Sequence, residues 1–437
     1  MRRLVAAVFL FACGSSSTTG DGNPGNGDGD IVPDTTGGNA HAVKLTLKNR
    51  PMNGGAYSFI VAYQDGSAPW QLAPAPSGDT YTLTINAPSY GVAYACIGSV
   101  PGATTTQLRT VTSAHFAIGE RTELTLDVPT RCSDRAAGNV TLSGSVNNRP
   151  FNGFLAVQLG TRTAFVGTSS GTFSLSTPPG TYDLVVAQVI PEGNGEFYVQ
   201  SAVMQRGVAV TTSMTRTIDF SQAQPTRSWP VSINVAARAV ASTTLYTSNG
   251  TQLGTVREST GWDTIALAQS ESSDIYDQSI AVTTAGQGAT ITNATNSPGA
   301  QTYAAPAPLG GVTGTIATTT PYITLESTWS PYANAIGYTW NATQQLASTQ
   351  CSGNLPCTIV WTAMLSPGVL GANTGYRMPD LSGLMGWRQS YQFVGGAQIV
   401  GGVTATTSSV GASDFPTGIP ANGTKRTFVR SDYAVTP

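Results

Sequence analysis

The chain has 437 residues, of which 10% are charged, with 21 basic and 23 acidic side chains and a net charge of −2. That balance leaves no electrostatic surplus for gripping a phosphate backbone, and no basic run longer than a pair such as Arg2-Arg3 occurs, so composition argues against a nucleic-acid partner. A chain of this length suits three or four β-sandwiches, and 49 Gly, 26 Pro and recurrent Thr and Val favour strands and turns over helices.

Residues 1–12 open with two arginines and continue with an apolar run from Leu4 to Ala12, the layout of an export signal too short to span a bilayer. Leu10-Phe11-Ala12-Cys13, followed by Gly14 and three serines, resembles a bacterial lipoprotein signal. The resemblance implies a lipidated Cys13 as the mature N-terminus; a plain secretory signal is the alternative. Multiple acylation of such a Cys would give stable membrane attachment. Residues 13–42 then form a linker of Gly, Ser, Asn and Asp that cannot bury enough apolar surface to order itself. As a coil of about 27 residues, the part after Cys13 spans roughly 25 to 30 Å. Its Asp21, Asn23, Asp28, Asp30 and Asp34 lack the spacing and closing Glu of a calcium loop, so a solvated tether is the better reading.

The first unit, 43–135, begins with Val43, Leu45 and Leu47 alternating with polar residues, a half-buried strand. Further strands are expected at 56–63, 80–85, 92–97, 115–118 and 122–128. Its turn Asn49-Arg50-Pro51-Met52-Asn53-Gly54 recurs as Asn148-Arg149-Pro150-Phe151-Asn152-Gly153, about one sandwich domain later. Gly78-Asp79-Thr80-Tyr81 also answers Gly180-Thr181-Tyr182, which suggests a row of similar β modules.

In the second unit, 137–222, Gly171-Thr172-Phe173-Ser174-Leu175 and then Pro179-Gly180-Thr181-Tyr182-Asp183-Leu184-Val185-Val186 resemble the carboxypeptidase regulatory-like (transthyretin-like) β-sandwich family. The resemblance implies an accessory fold without catalytic residues. Spacing alone puts Tyr182, Leu184 and Val186 on one inward strand face. Residues 221–229 read as a linker. The third unit, 229–305, shows alternation at 231–235, 244–246 and 280–282 and near Ile265, and Gly286–Gly311 reads as a Gly-, Ala-, Thr- and Pro-rich loop. In the last unit, 315–437, the stretch from Pro321 to Trp340 and the later Tyr376, Leu381 and Tyr391–Phe393 are similar to a fibronectin type III module, which implies a buried Trp on the second strand. The fold class is therefore all-β: tandem Ig-like or transthyretin-like sandwiches after a disordered tether.

Apart from Cys13, the cysteines are Cys96, Cys132, Cys351 and Cys357; four allow three connectivities, and unit boundaries favour Cys96 with Cys132 and Cys351 with Cys357. Reduced, buried thiols are the alternative; if the bonds form, the compartment is oxidising. Neither His41 nor His115 sits in a catalytic motif, and no metal, nucleotide or other cofactor signature occurs. The acid pairs Glu192/Glu196 and Asp274/Asp277 read as solvated surface groups rather than a glycoside-hydrolysing pair. Trp329, Trp340, Trp361 and Trp387 crowd the last unit; those that are exposed, with Trp340, Trp361 and Trp387 as candidates, could stack on sugars or anchor a partner, and the alternative is core plus rim.

These readings converge on a non-catalytic lipoprotein of the cell envelope, in the outer membrane or at the cell surface. Its lipid would hold the membrane, and its modules would adhere to or scaffold envelope proteins or polysaccharide, without nucleic acid or cofactor. A carbohydrate-binding protein using exposed aromatics and an envelope hydrolase are the competing expectations.

Overall fold

Alternating apolar positions become strands throughout, and the fold is all-β. The computed structural model describes residues 40–51, 58–100, 106–132, 140–167, 170–191, 197–233, 238–258, 261–264, 269–284, 287–351, 355–372 and 374–437. The signal, Cys13, most of the tether, the Glu192/Glu196 pair and Ile265 lie outside the described residues.

The first unit comprises β1 (His41–Lys48), β2 (Ile60–Asp65), β3 (Gln71–Leu72), β4 (Thr80–Ile85), β5 (Ser89–Val100), β6 (Thr106–Ala117) and β7 (Glu123–Asp127). A three-stranded sheet in the order β4-β1-β7 faces a second run in the order β3-β2-β5-β6. Val43, Leu45, Leu47, Leu83 and Leu124 bury their side chains between the two, against Val92, Cys96, Ala114 and Phe116. Parallel pairing of β1 with β7 brings the ends of the unit together, and the Cys96–Cys132 disulfide pins the segment after β7 to β5.

The same wiring recurs twice. The second unit holds β8 (Val140–Asn147), β9 (Phe154–Leu159), β10 (Arg162–Gly167), β11 (Thr172–Thr177), β12 (Gly180–Pro191), β13 (Phe197–Val210) and β14 (Met214–Asp219), ordered β11-β8-β14 and β10-β9-β12-β13. The third holds β16 (Arg227–Ile233), β17 (Arg238–Tyr246), β18 (Gln252–Glu258), β19 (Gly261–Thr264), β20 (Ile275–Thr284), β21 (Gln287–Thr295) and β22 (Gln301–Tyr303), ordered β19-β16-β22 and β18-β17-β20-β21. In each, the first and seventh strands are parallel neighbours. The repeated turn opens with the same backbone: Asn49 and Asn148 both lie in the left-handed region, at φ 60° and 52°, which Asn tolerates better than most residues.

Strand order corrects the second sequence match. Tyr81 lies on β4, whose counterpart is β11 with Phe173, whereas Gly180-Thr181-Tyr182 opens β12, the counterpart of β5. Leu184 and Val186 point into the core, and Tyr182, half-buried, packs against the same core; the register shift beside it lies on β13, where Gln205 and Val208 stand opposite Leu184 and Tyr182.

Two segments read as loops are structured. Within 221–229, β15 (Gln224–Pro225) pairs with β13 at Ser201 and Ala202, and β16 starts at Arg227. Within 286–311, β21 and β22 form despite their small residues, because β21 is paired along both edges and neighbours rather than propensity decide a central strand.

The last unit holds β23 (Thr313–Thr318), β24 (Thr324–Thr328), β25 (Gly337–Leu346), β26 (Cys357–Leu365), β27 (Gly375–Arg377), β28 (Ile399–Ser408) and β29 (Lys425–Val435), with one helical turn, α1 (Pro367–Leu370). Its sheets run β23-β24-β27 and β26-β25-β28-β29. The second does not stop at the unit's boundary. β26 pairs in parallel with β6, from Cys357 opposite Gln107 to Leu365 opposite His115, while β29 pairs antiparallel with β21. One 12-stranded sheet thus runs through the third, last and first units.

At its centre the Tyr433 ring lies against Gly314 and Gly401, where an added Cβ would come within 1.9 Å and 2.2 Å of ring carbons. That fit lets the Tyr433 hydroxyl reach Ser327 Oγ at 2.6 Å, while Trp340 Nε1 donates to both oxygens at 2.9 Å and 2.8 Å. Gly401→Val expels the ring and should cost about 2–4 kcal/mol, whereas Tyr433→Phe, which removes one hydroxyl, should cost about 1 kcal/mol. Urea unfolding of the two variants beside the parent checks the order; equal losses would remove the close-approach argument.

Candidate functional site

Of the tryptophans proposed as stacking platforms, Trp340 and Trp361 are core residues and Trp387 is at the rim. Trp340 is 0% and Trp361 1% exposed, because β25 and β26 are covered by β23-β24-β27 and by the segment 378–394. Trp361 Nε1 donates to the Tyr391 carbonyl at 2.8 Å, and Trp387, half-buried, packs at tilted ring angles against Tyr391, Trp361 and Tyr322 with ring centroids 5.0, 5.8 and 6.0 Å away. Trp340 and Trp361 therefore cannot present a face to a sugar. The same segment closes the seam to the first unit: Tyr391 donates to the Ser58 carbonyl, and Ala62, Ala93, Ala95 and Val111 of the first unit share a core with Trp340 and Trp361. Both disulfides, Cys96–Cys132 and Cys351–Cys357, are present.

The acid pair Asp274/Asp277 does not converge, and neither member is a solvated surface group. Asp274 is fully buried and faces the second unit, where Arg206 bridges it to buried Asp183 with contacts of 2.5 and 3.0 Å. Burial pushes the Asp183 carboxyl up, but hydrogen bonds from the Gly207 amide, Asn249, Thr247 and Arg206 outweigh it and hold the group below its ordinary range. Apolar residues surround this network: Val185, Ala187 and Ala202 from the second unit meet Leu245, Leu253 and Tyr276 from the third. Asp277 lies on the strand β20, not in a loop, on the other side; burial raises its pKa and the Arg426 charge opposes that rise. Both carboxylates serve joints between elements.

His41 is exposed at the start of β1. The His115 ring is wedged between Trp70 and Tyr376, with Nε2 3.3 Å from Ser113 Oγ, and burial lowers its pKa to about 4. Ser113 Oγ is in turn 3.2 Å from the Tyr376 hydroxyl. A Ser, a His and a Tyr in contact suggest nucleophile activation, but Ser113 and Tyr376 are buried in the seam between the first and last units, with the His115 ring half-buried beside them.

Open ground lies elsewhere on the long sheet. The sheets β19-β16-β22 and β23-β24-β27 cover the same face but do not meet, and the strands between them are left bare. The result is a cleft of about 540 Å³, within the size range of small-ligand sites. Its floor is two cross-strand rows: Ile291, Thr427 and Thr407, then Asn293 and Lys425 with Ser409 beside them. Gln301, Tyr303 and Pro306 form one wall, and Asn334 stands on the other. Asn334 sits in the left-handed region at φ 59°, in a loop tied across the cleft by the Tyr332 hydroxyl donating to the Ala307 carbonyl at 3.1 Å.

The chemistry of this lining is one-sided. It contains amides, hydroxyls and two cations, and no carboxylate. Arg426 is neutralised by Asp414 at 2.5 and 2.6 Å and donates to the Gly418 carbonyl. Lys425 has no acidic partner among the described residues. Asn293 is only 9% exposed, its amide makes no hydrogen bond to another described residue, and that amide is not enclosed, so its donors and acceptor open into the cleft. Sequence reading missed the cleft because its floor and walls come from two units and from the stretch taken for a loop.

No protein-family model and no curated protein matches the chain. Among the described residues no cluster of three or more His, Cys, Asp or Glu is placed to hold a metal ion, and no helix is long and apolar enough to cross a membrane.

Two measurements probe the joints. Replacing Arg206 by Met strands two buried carboxylates and should destabilise the protein by about 3–5 kcal/mol, with hydrogen exchange rising first around Asp183 and Asp274. For His115 the folded pKa of about 4 lies below the ordinary 6.5, so the unfolded chain takes up the proton first. The stability this neutral ring supports is complete above about pH 6.5 and lost as the pH falls towards 4, at no more than about 1.4 kcal/mol per pH unit. Thermal unfolding of His115→Gln across that window should show a flatter pH profile than the parent.

Proposed function

We propose that the chain is a non-catalytic lipoprotein of the cell envelope, anchored through acylated Cys13, which holds a rigid β scaffold off the membrane and binds surface components with it. The observation that carries this reading is the 12-stranded sheet, which locks three sandwiches into one body. A device for presenting a surface benefits from fixed geometry, and pairing along whole strands supplies it. Two disulfides support residence in an oxidising compartment. The strand orders support reading the first three units as transthyretin-like sandwiches and the last as fibronectin type III-like.

Binding is favoured over turnover by where the reactive groups sit. Asp183, Asp274 and His115 are engaged at joints between units, and the open cleft lacks the paired carboxylates that glycoside hydrolysis uses. Expressed with its own leader in a diderm bacterial host, the parent should fractionate with membranes and be released only by detergent. Cys13→Ser should appear in the soluble exported fraction with both disulfides intact, as shown by a mobility shift on reduction. Unchanged membrane fractionation of Cys13→Ser would overturn the anchor.

A further inference from the structure

We propose that the cleft between the third and last units binds an internal segment of an acidic polysaccharide, a hydroxyl-rich chain carrying carboxylates. This assignment deepens the surface-binding reading and rests on it. Three features of the cleft point to that chemistry together.

First, Asn293 is nine-tenths buried on the floor with its amide unpaired. An amide offers donors and an acceptor side by side, which matches adjacent sugar hydroxyls, each of which both gives and takes a hydrogen bond. Gln301 on the wall repeats the arrangement, and Thr407 and Thr427 add hydroxyls between them. Secondly, Lys425 brings the one charge in the lining that no described residue neutralises. A single ammonium without a forked guanidinium or a helix N-terminus beside it suits a carboxylate better than a phosphate. Thirdly, Ile291 and Pro306 present small apolar surfaces rather than a deep pocket, which suits the C–H faces of a sugar ring.

An acidic peptide fits less well. Extended peptides are held chiefly by a free sheet edge, and β21, β29 and β28 beneath the cleft are each paired on both sides. The aromatic platform common in sugar recognition is absent from this lining: Tyr303 is 8% exposed and packs into the core of the third unit. Affinity must then come from hydrogen bonds and the Lys425 charge, and it should be salt-sensitive.

The test uses the full chain and calorimetric titration at low ionic strength. The probes are oligogalacturonate, neutral dextran oligosaccharide of matched length, and oligoglutamate. Oligogalacturonate should bind, weaken with added salt, and lose about tenfold or more in affinity with Lys425→Met and with Gln301→Ala. Both side chains lie at the cleft's surface, so thermal unfolding should match the parent. Asn293→Leu should remove binding, and amide shifts in the parent spectrum should cluster on β21 and β29. Failure of oligogalacturonate to bind, equal binding of dextran or oligoglutamate, or indifference to both surface variants overturns the assignment. Membrane fractionation does not involve the cleft, so a failure here with Cys13-dependent anchoring intact removes the ligand and leaves the surface reading standing.

Discussion

Strand edges are the constraint on which the rest of this molecule depends. A sheet edge carries a row of unpaired amides and carbonyls, and an exposed one invites the wrong partner. The four-stranded half of the last unit has two such edges, β26 and β29, and each is satisfied by the sixth strand of a repeat: β6 in the first unit and β21 in the third. Two like edges are thus consumed by one central unit. Fusion of three sandwiches follows directly, because separating the last unit from the first or the third would expose a whole ladder of backbone groups.

Continuity of the sheet also decides what its faces do. Trp361 stands opposite Val111 in the parallel ladder, so both point the same way, and Val111 is on the outer side of the first unit's own sandwich. The neighbouring Ala114 and Phe116 enter the first unit's core from the other side. The covering sheets of the first and last units therefore lie on opposite faces, whereas those of the last and third units share one. Sharing a face leaves a gap, since two twisted three-stranded sheets cannot abut along a common floor without strands to spare. Polar residues on that floor are the expected outcome, and Thr427, Asn293 and Lys425 occupy it.

Local order was legible in the sequence where it is local in origin. Val43, Leu45 and Leu47 declare β1 by alternation alone, and the Asn-Arg-Pro turn declares a repeat because its backbone needs a residue that accepts positive φ. What escaped was everything set by distant pairing. The run Gly288-Ala289-Thr290 has the composition of a loop, and it becomes the first half of a strand because β20 and β29 flank it. Trp340 looked like a possible surface anchor for want of any sign that Ser327 and Tyr433, separated from it by 13 and 93 positions, would satisfy its N–H. Periodicity reports which side of a strand is apolar; it does not report which strand lies alongside, and both the cleft and the seams are made by that choice.

The second unit shows the same rule by exception. Its sixth strand, β13, is the counterpart of β6 and β21, yet among the described residues no strand of the last unit pairs with it. The connector supplies β15 instead, which takes the backbone groups at Ser201 and Ala202, while the Gln269 side chain donates to the Ala202 carbonyl. With that edge partly blocked by its own chain, the unit joins the body through its outer sheet face, where Val185 and Ala187 meet Leu245 and Tyr276. An apolar face alone would tolerate several docked orientations. Arg206 removes that freedom, because Asp183 and Asp274 are both buried and only one relative placement of the two units brings the guanidinium to both. The third unit is thus held by a ladder on one side and by a charge network on the other, and the cleft opens on the side held by the ladder.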